Sequence, residues 1–431
     1  MYFCKQTKEK MKLVTAQEAV SHIQSNSRIY VQCAAATPSV LMHSIVARAH
    51  DLRNVEMCHL HTFGEAPYTD IQYKDSFFTN SFYIGANARK TITQGNGSYT
   101  PTFLSELPLL FDHNILPLDV VFIHVTPPNK EGYCSLGTSV EATRAAIRNA
   151  KLVIAQINQN MPFTFGDALV HVDEITFGIE INAPIFESPI DAISDIELRI
   201  GAHVASLIDD KSCLQMGIGS IPNAVLSNLT NHKDLGVFTE MFSDGVVDLV
   251  EKNVITSKYN TINPNKITST FVQGTKRLFD FIDHNDFVIM KEASFTNNEV
   301  NIRQNDRMVS INSAIEIDVT GQVCADSFGS KLYSGVGGQI DYVRGAVHSK
   351  NGKAIIAMPA VTAKGINKIV PALKTGAGVV TTRANIQYVV TEYGIAQLYG
   401  KNIKDRVKAM IDIAHPDFRE QIAKDYFELT R

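Results

Sequence analysis

The sequence predicts an α/β architecture, and three observations carry that reading. Short apolar runs of strand length recur along the chain, turn residues close them, and amphipathic stretches follow. The first two runs are Val120-Val121-Phe122-Ile123-His124-Val125 and Leu152-Val153-Ile154-Ala155. Leu214-Gln215-Met216 and Ala354-Ile355-Ile356-Ala357 follow in the second half. Runs this short, with little polar alternation, read as strands buried on both faces, as in parallel sheets covered by helices. The segments Val140 to Asn149 and Ile193 to Ile208 carry the helical spacing expected of those covering layers.

A length of 431 residues exceeds one ordinary core, since domains cluster at about 100–200 residues. Two domains are therefore expected. Ala183-Pro184-Ile185-Phe186-Glu187-Ser188-Pro189 separates a finished α/β block from a new helix expected to begin near Asp191, so the split is placed at 188, giving domains 1–188 and 189–431. The formal net charge of −4 argues against a nucleic-acid partner, which would require a basic face. Cys4, Cys33, Cys58, Cys134, Cys213 and Cys324 are scattered, without Cys-x-x-Cys pairs or zinc spacing, and read as reduced thiols. No metal site is expected. The opening Met1-Tyr2-Phe3-Cys4-Lys5-Gln6 lacks the apolar stretch of a signal peptide, and no segment reaches the ~20 apolar residues of a membrane helix. A cytoplasmic protein is the expectation.

Four segments carry candidate chemistry. Gln215-Met216-Gly217-Ile218-Gly219-Ser220-Ile221-Pro222 follows a short strand and opens a helical pattern. Glycines there let a ligand approach the backbone, and helix-start amides favour anions. Pro222 stands where a dinucleotide fingerprint needs its third glycine, so that reading is weak, and a tight ligand-free turn remains open.

The second segment, Phe238-Thr239-Glu240-Met241-Phe242-Ser243-Asp244-Gly245-Val246-Val247-Asp248, holds three acids spaced four apart. On one helix they would share a solvated face. Alternatively, Gly236-Val237-Phe238-Thr239 is a buried strand, and Glu240 stands at its carboxyl end, where α/β sheets bind ligands.

The third, Lys331 to Ala346, includes Gly335, Gly337 and Gly338, either a loop whose amides face a ligand or a plain glycine hairpin. The fourth, Tyr388 to Ala396 with Ala414 to Arg419, places polar groups at a strand end, and a structural hydrogen-bond cluster explains it equally well.

Taken in fixed order, these segments resemble the acetyl-CoA hydrolase/transferase family, and within it the 4-hydroxybutyrate and butyrate CoA-transferase branch. The residues that carry the resemblance are Gly217 to Pro222, Thr239 to Gly245, Ser334 to Tyr342, Val390 to Gly394 and Ala414 to Arg419. Gly132-Tyr133-Cys134-Ser135-Leu136-Gly137 and Asn160-Met161-Pro162 extend it over nearly the whole chain.

The resemblance implies two open α/β domains of the CoA-transferase type with the active site at their interface, in a homodimer. It implies that Glu240 is the acylated nucleophile. It further implies that Gly217, Ile218, Gly219, Ser220, Ile221, Gly337 and Gly338 contact coenzyme A, and that Asn312 is an active-site asparagine. Coenzyme A enters as substrate, as an acyl-CoA exchanged with short acids such as 4-hydroxybutyrate, butyrate or acetate, with no tightly bound cofactor.

A carboxylate is a usable nucleophile toward a thioester, because an ordinary glutamate with a pKa near 4.3 is ionised at neutrality. Two rivals keep the same residues. An acyl-CoA hydrolase would resolve the glutamyl intermediate with water, and a non-catalytic CoA-binding regulator would leave Glu240 dispensable.

Overall fold

In the computed structural model, which describes residues 11–190 and 192–431, the chain forms two compact units, each built on its own sheet. Met1 to Lys10, with Cys4, and the helix start expected at Asp191 lie outside the described residues. The first unit takes the described residues through Thr102, then Glu106–Ser188 and Thr270–Ser294. The second takes Phe103–Ser105, Pro189–Ser269 and Phe295–Arg431.

The first unit is a parallel sheet. Its main strands are β1 (Arg28–Val31), β2 (Val55–His59), β3 (Phe77–Ser81), β4 (Val120–Val125), β5 (Leu152–Asn158) and β6 (Phe177–Ile181). They lie in the order β6-β5-β4-β1-β2-β3, every pairing parallel. All six residues of β4 are buried, as an apolar run without alternation demands. The helical pattern from Val140 yields a shorter helix, α1 (Thr143–Asn149), because Val140 is held as extended chain by its N–H to Thr270 O at 2.8 Å. That bond, with Val272 N–H to Thr138 O at 2.9 Å, is why Thr270–Ser294 packs with the first unit.

The second unit has strands β7 (Cys213–Met216), β8 (Gly236–Val237), β9 (Met241–Phe242), β10 (Met308–Asn312), β11 (Lys353–Ala357), β12 (Tyr388–Thr391) and β13 (Gly394–Gln397). β8, β7, β10, β11 and β12 run parallel in that order. β13 folds back antiparallel on β12, and β9 touches β7 through the antiparallel pair Met216↔Met241.

The helices of this unit that bear on the site are α2 (Asp195–Ala205), α3 (Ser220–Ser227), α4 (Asp244–Glu251) and α5 (Gln339–His348). A capping box starts α2: Ser194 Oγ accepts the Glu197 N–H, and the Glu197 carboxylate accepts the Ser194 N–H at 2.8 Å. The core of this unit joins Ile302, Met308, Tyr342, Val343, Ile356, Val389 and Leu398. In the fourth sequence segment the polar group at the end of β12 is structural, since the Thr391 hydroxyl donates to Ile413 O at 2.7 Å. The described cysteines, Cys33, Cys58, Cys134, Cys213 and Cys324, are buried free thiols.

Helix α2 approaches α3 so closely that a Cβ on Gly201 would stand 2.6 Å from the Ala224 backbone. Gly201→Ala is therefore expected to destabilise the protein by about 1–3 kcal/mol, the overpacking outweighing alanine's helix preference. Denaturant melts of the two proteins check this.

Candidate active site

The parallel strands of the second unit place the sequence candidates near one another. β7 and β8 are parallel, with Leu214 opposite Val237, so their carboxyl ends emerge at the same edge. The glycine turn Gly217 to Ile221 leaves β7, and Glu240 follows β8 after Phe238 and Thr239. Thr239 is held by its N–H to Thr268 O at 3.0 Å and by its hydroxyl to Met241 O at 2.9 Å. The Ser269 hydroxyl donates to Glu240 O at 3.1 Å. Glu240 thus sits in a pinned break between β8 and β9. The one-helix alternative for the three acids does not form: Asp244 and Asp248 belong to α4, and Glu240 precedes it.

The Glu240 side chain meets two N–H donors. Asn297 Nδ2 donates to Oε2 at 3.0 Å, and the Gly338 backbone N–H also donates to the carboxylate. Gly338 caps the start of α5, and a Cβ there would fall 2.0 Å from Glu240 Oε2 and 2.1 Å from Asn297 Nδ2. Only a glycine fits this approach. The preceding Gly337 has φ +59° and accepts the Leu104 N–H at 3.1 Å, which ties the segment Phe103–Ser105 to the loop.

Glu240 as a residue keeps some exposed surface, yet its carboxyl lies deep among protein atoms. Burial pushes its pKa up to about 7, against the lowering effect of the Asn297 and Gly338 hydrogen bonds. A carboxyl so poised is half ionised near neutrality and poorly solvated, which favours nucleophilic attack by the ionised form.

Around the β7 turn, Gly219 has φ +105° and caps α3, and a Cβ at either Gly217 or Gly219 would meet nothing within 4 Å. The turn therefore presents bare backbone to open space at a helix start, where amides lack intrahelical partners. Ile218 is 44% exposed. The Ser220 hydroxyl is engaged by the Glu197 carboxylate of α2. Asn312 ends β10, next to β7, and its amide forms a reciprocal pair with Gln215 at 3.1 and 3.3 Å.

The asparagine that reaches Glu240 is Asn297, which sequence reasoning did not single out. Its segment, Phe295-Thr296-Asn297-Asn298, has no glycine, no repeat and no apolar pattern that would mark it. Asp341 was also missed, although it stands three residues after Gly338 inside the Lys331 to Ala346 segment. Among the described residues, no group of three His, Cys, Asp or Glu side chains could hold a metal, and no helix is long and apolar enough to cross a membrane. A separate cleft of about 730 Å³ in the first unit, lined by Asn160, Phe163, Lys276 and His284 among others, contains none of the candidate residues.

Comparison with known proteins bears on the whole chain. The model of the acetyl-CoA hydrolase/transferase N-terminal domain matches residues 3–204, and that of the C-terminal domain matches residues 274–426. A Fasciola hepatica protein named succinyl-CoA:acetate/propanoyl-CoA:succinate CoA transferase is 48% identical over 95% of this chain and 87% of its own. A 4-hydroxybutyrate coenzyme A transferase from Clostridium kluyveri is 45% identical, over 97% of each chain. The crystal structure of 4-hydroxybutyrate CoA-transferase from Porphyromonas gingivalis superposes with a TM-score of 0.82 at 37% identity, covering 97% of both chains.

The balance at Glu240 is testable without any substrate. Carboxylate infrared difference spectra against Glu240→Gln are expected to show a group titrating near pH 7. In Asn297→Ala the midpoint moves upward, because the lost hydrogen bond favoured the charged form.

Proposed function

The chain belongs to the acetyl-CoA hydrolase/transferase family and is a CoA-transferase, and on that footing we propose that it moves coenzyme A between short linear acids through a thioester on Glu240. The observation that carries the proposal is the Glu240 carboxyl, raised by burial and held by Asn297 Nδ2 and the Gly338 N–H.

In the first step, Glu240 attacks the acyl carbon of an acyl-CoA. The thioester C–S bond breaks, leaving a mixed anhydride and CoA thiolate. The thiolate then attacks the glutamyl carbonyl, forming a glutamyl-CoA thioester and releasing the first acid as its carboxylate. A second carboxylate runs the same steps in reverse and leaves as the new acyl-CoA. One carboxylate is consumed for each one released, so the exchange needs no net proton.

The attack on the glutamyl carbonyl puts negative charge on an oxygen of Glu240 itself. The two donors that hold the resting carboxylate are already in place for that oxyanion. The open backbone of Gly217, Ile218, Gly219, Ser220 and Ile221, with the loop at Gly337 and Gly338, supports coenzyme A binding at this edge. Asn312, on the neighbouring strand, is proposed to serve the same substrate through its pair with Gln215.

For the acids, 4-hydroxybutyrate or butyrate with acetyl-CoA is the proposed pair, and succinate is the competitor suggested by the Fasciola hepatica relative's name. A homodimer in the cytoplasm completes the proposal. The names of both relatives, each a CoA transferase, favour exchange over hydrolysis.

Intact mass after incubation with acyl-CoA, followed by borohydride, tests the mechanism. Wild type is expected to carry a CoA adduct that borohydride removes, and Glu240→Ala to carry none; equal labelling of both would refute the assignment. CoA release that is fast without an acceptor acid would replace exchange by hydrolysis.

Gly338→Ala is expected to lower kcat by about 10²–10³-fold, the loss typical of one disrupted oxyanion donor, with the fold retained by circular dichroism. The reactive form is the carboxylate and its pKa is raised, so activity is expected to fall as pH drops through about 7. A pH–rate profile whose acid limb lies near 4.5 instead would contradict the burial argument.

A further inference from the structure

The role given to Glu240 leaves a second carboxyl beside it without a task. Asp341 lies in the first turn of α5 and is 8% exposed. Its Oδ1 accepts the Ser105 hydroxyl at 2.9 Å, and its Oδ2 accepts the Ser105 N–H at 3.3 Å and Asn297 Nδ2 at 3.4 Å.

Asn297 is fully buried, and its amide is fully assigned. The oxygen accepts the Thr296 hydroxyl at 2.9 Å, while the nitrogen directs hydrogens to Glu240 and Asp341. Rotating that amide by half a turn would set its oxygen against two carboxyls. Asp341 and Thr296 thus fix which end of Asn297 faces Glu240.

The same bridge places two acids on either side of one nitrogen. Like charges so close do not both ionise readily, and they titrate as a pair. Resting on the reading of Glu240 as the acylated residue, we propose that Asp341 is a positioning residue with two effects. It aims the Asn297 amide at Glu240, and it carries the negative charge of the site while Glu240 is acylated.

The charge follows from the chemistry of the intermediate. In the anhydride and in the thioester Glu240 is uncharged, so its repulsion no longer adds to the burial that keeps a proton on Asp341. With that opposition reduced, Asp341 ionises more readily: its O–H bond breaks, the electron pair stays on the carboxylate, and the proton passes to solvent. When the second acid restores the Glu240 carboxylate, one proton returns to the pair.

The groups facing Asp341 are Glu240, Asn297, Ser105 and, one residue along α5, the buried Tyr342 hydroxyl, which donates to Thr296 O at 2.8 Å. Burial raises Asp341 to about 7, Ser105 opposes the rise, and the Glu240 charge adds to it. The pair therefore holds close to one proton near neutrality, consistent with a transferable charge.

The test compares thioester formation in wild type and Asp341→Asn, read by intact mass from about pH 5 to about pH 9, with proton release followed by an indicator dye in weak buffer. In D341N the plateau rate is expected to fall about tenfold, with the acid limb still set by Glu240 near pH 7 and KM for acyl-CoA unchanged. Wild type is expected to release up to one proton per thioester near pH 7, and D341N far less. Ser105→Ala keeps the charge and loosens the hold, so it is expected to slow the reaction without moving the limb.

A D341N protein with wild-type rate, or one that still releases a proton per thioester as wild type does, would overturn the proposal. So would a slowed D341N with a lowered Tm and wild-type proton release, which makes Asp341 merely structural. If D341N does not fold, a wild type that forms thioester without releasing a proton, or a Ser105→Ala protein at wild-type rate, overturns the proposal as well. No thioester on wild type would remove the Glu240 reading itself, a result distinct from thioester on wild type with D341N unaffected.

Discussion

The structure of the second unit turns on one conflict: a carboxyl buried among protein atoms that must nevertheless ionise in the role proposed for it. Left alone, burial would hold Glu240 protonated, because an unpaired charge in a protein interior is expensive. Two N–H donors, Asn297 Nδ2 and the Gly338 amide, offset that effect enough to leave the pKa near 7. The compromise suits the nucleophile proposed here. More donors would make the carboxylate too stable to attack, and fewer would leave it protonated at neutral pH.

Much of the surrounding chain is arranged to keep those donors in place. The carboxyl of Glu240 fills the position a side chain at 338 would occupy, so the loop closes on it only with glycine. Asn297 has its oxygen tied to Thr296 and its nitrogen directed to the two acids, which leaves its amide one orientation. The Phe103–Ser105 segment reaches Gly337 through Leu104 and Asp341 through Ser105. A short stretch far away in sequence thereby braces both the donor loop and the second carboxyl.

The sheet explains why these pieces meet. Parallel strands present all their carboxyl ends on one edge, and that edge is where open α/β sheets bind ligands. β7 delivers the bare glycine turn there, β8 delivers Glu240, and β10 ends beside them at Asn312. The antiparallel contact Met216↔Met241 then brings the glycine turn close to Glu240. Chemistry distributed over more than a hundred residues of sequence is gathered without any long-range motif being required.

What the sequence determined by itself was whatever local chemistry dictates. Buried strands such as Val120–Val125 were legible because uninterrupted apolar runs have few other solutions, and the glycine turns because positive φ at Gly219 and Gly337 excludes most residues. Glu240 was legible as an acid at a strand end, and its segment, in order with four others, marked the family. The sequence left open whether Glu240, Asp244 and Asp248 shared a helix, because their spacing fits a helix as well as a strand followed by a turn; the pinning of Thr239 and Met241 settled that. Asn297 and Asp341 could not be ranked at all, since an asparagine in a plain loop and an acid in a first helical turn are ordinary features. Their roles exist only through contacts 57 and 44 residues apart. Local preference is written along the chain, whereas a buried hydrogen-bond network is decided only when the tertiary structure excludes water and brings its partners within 3–3.5 Å.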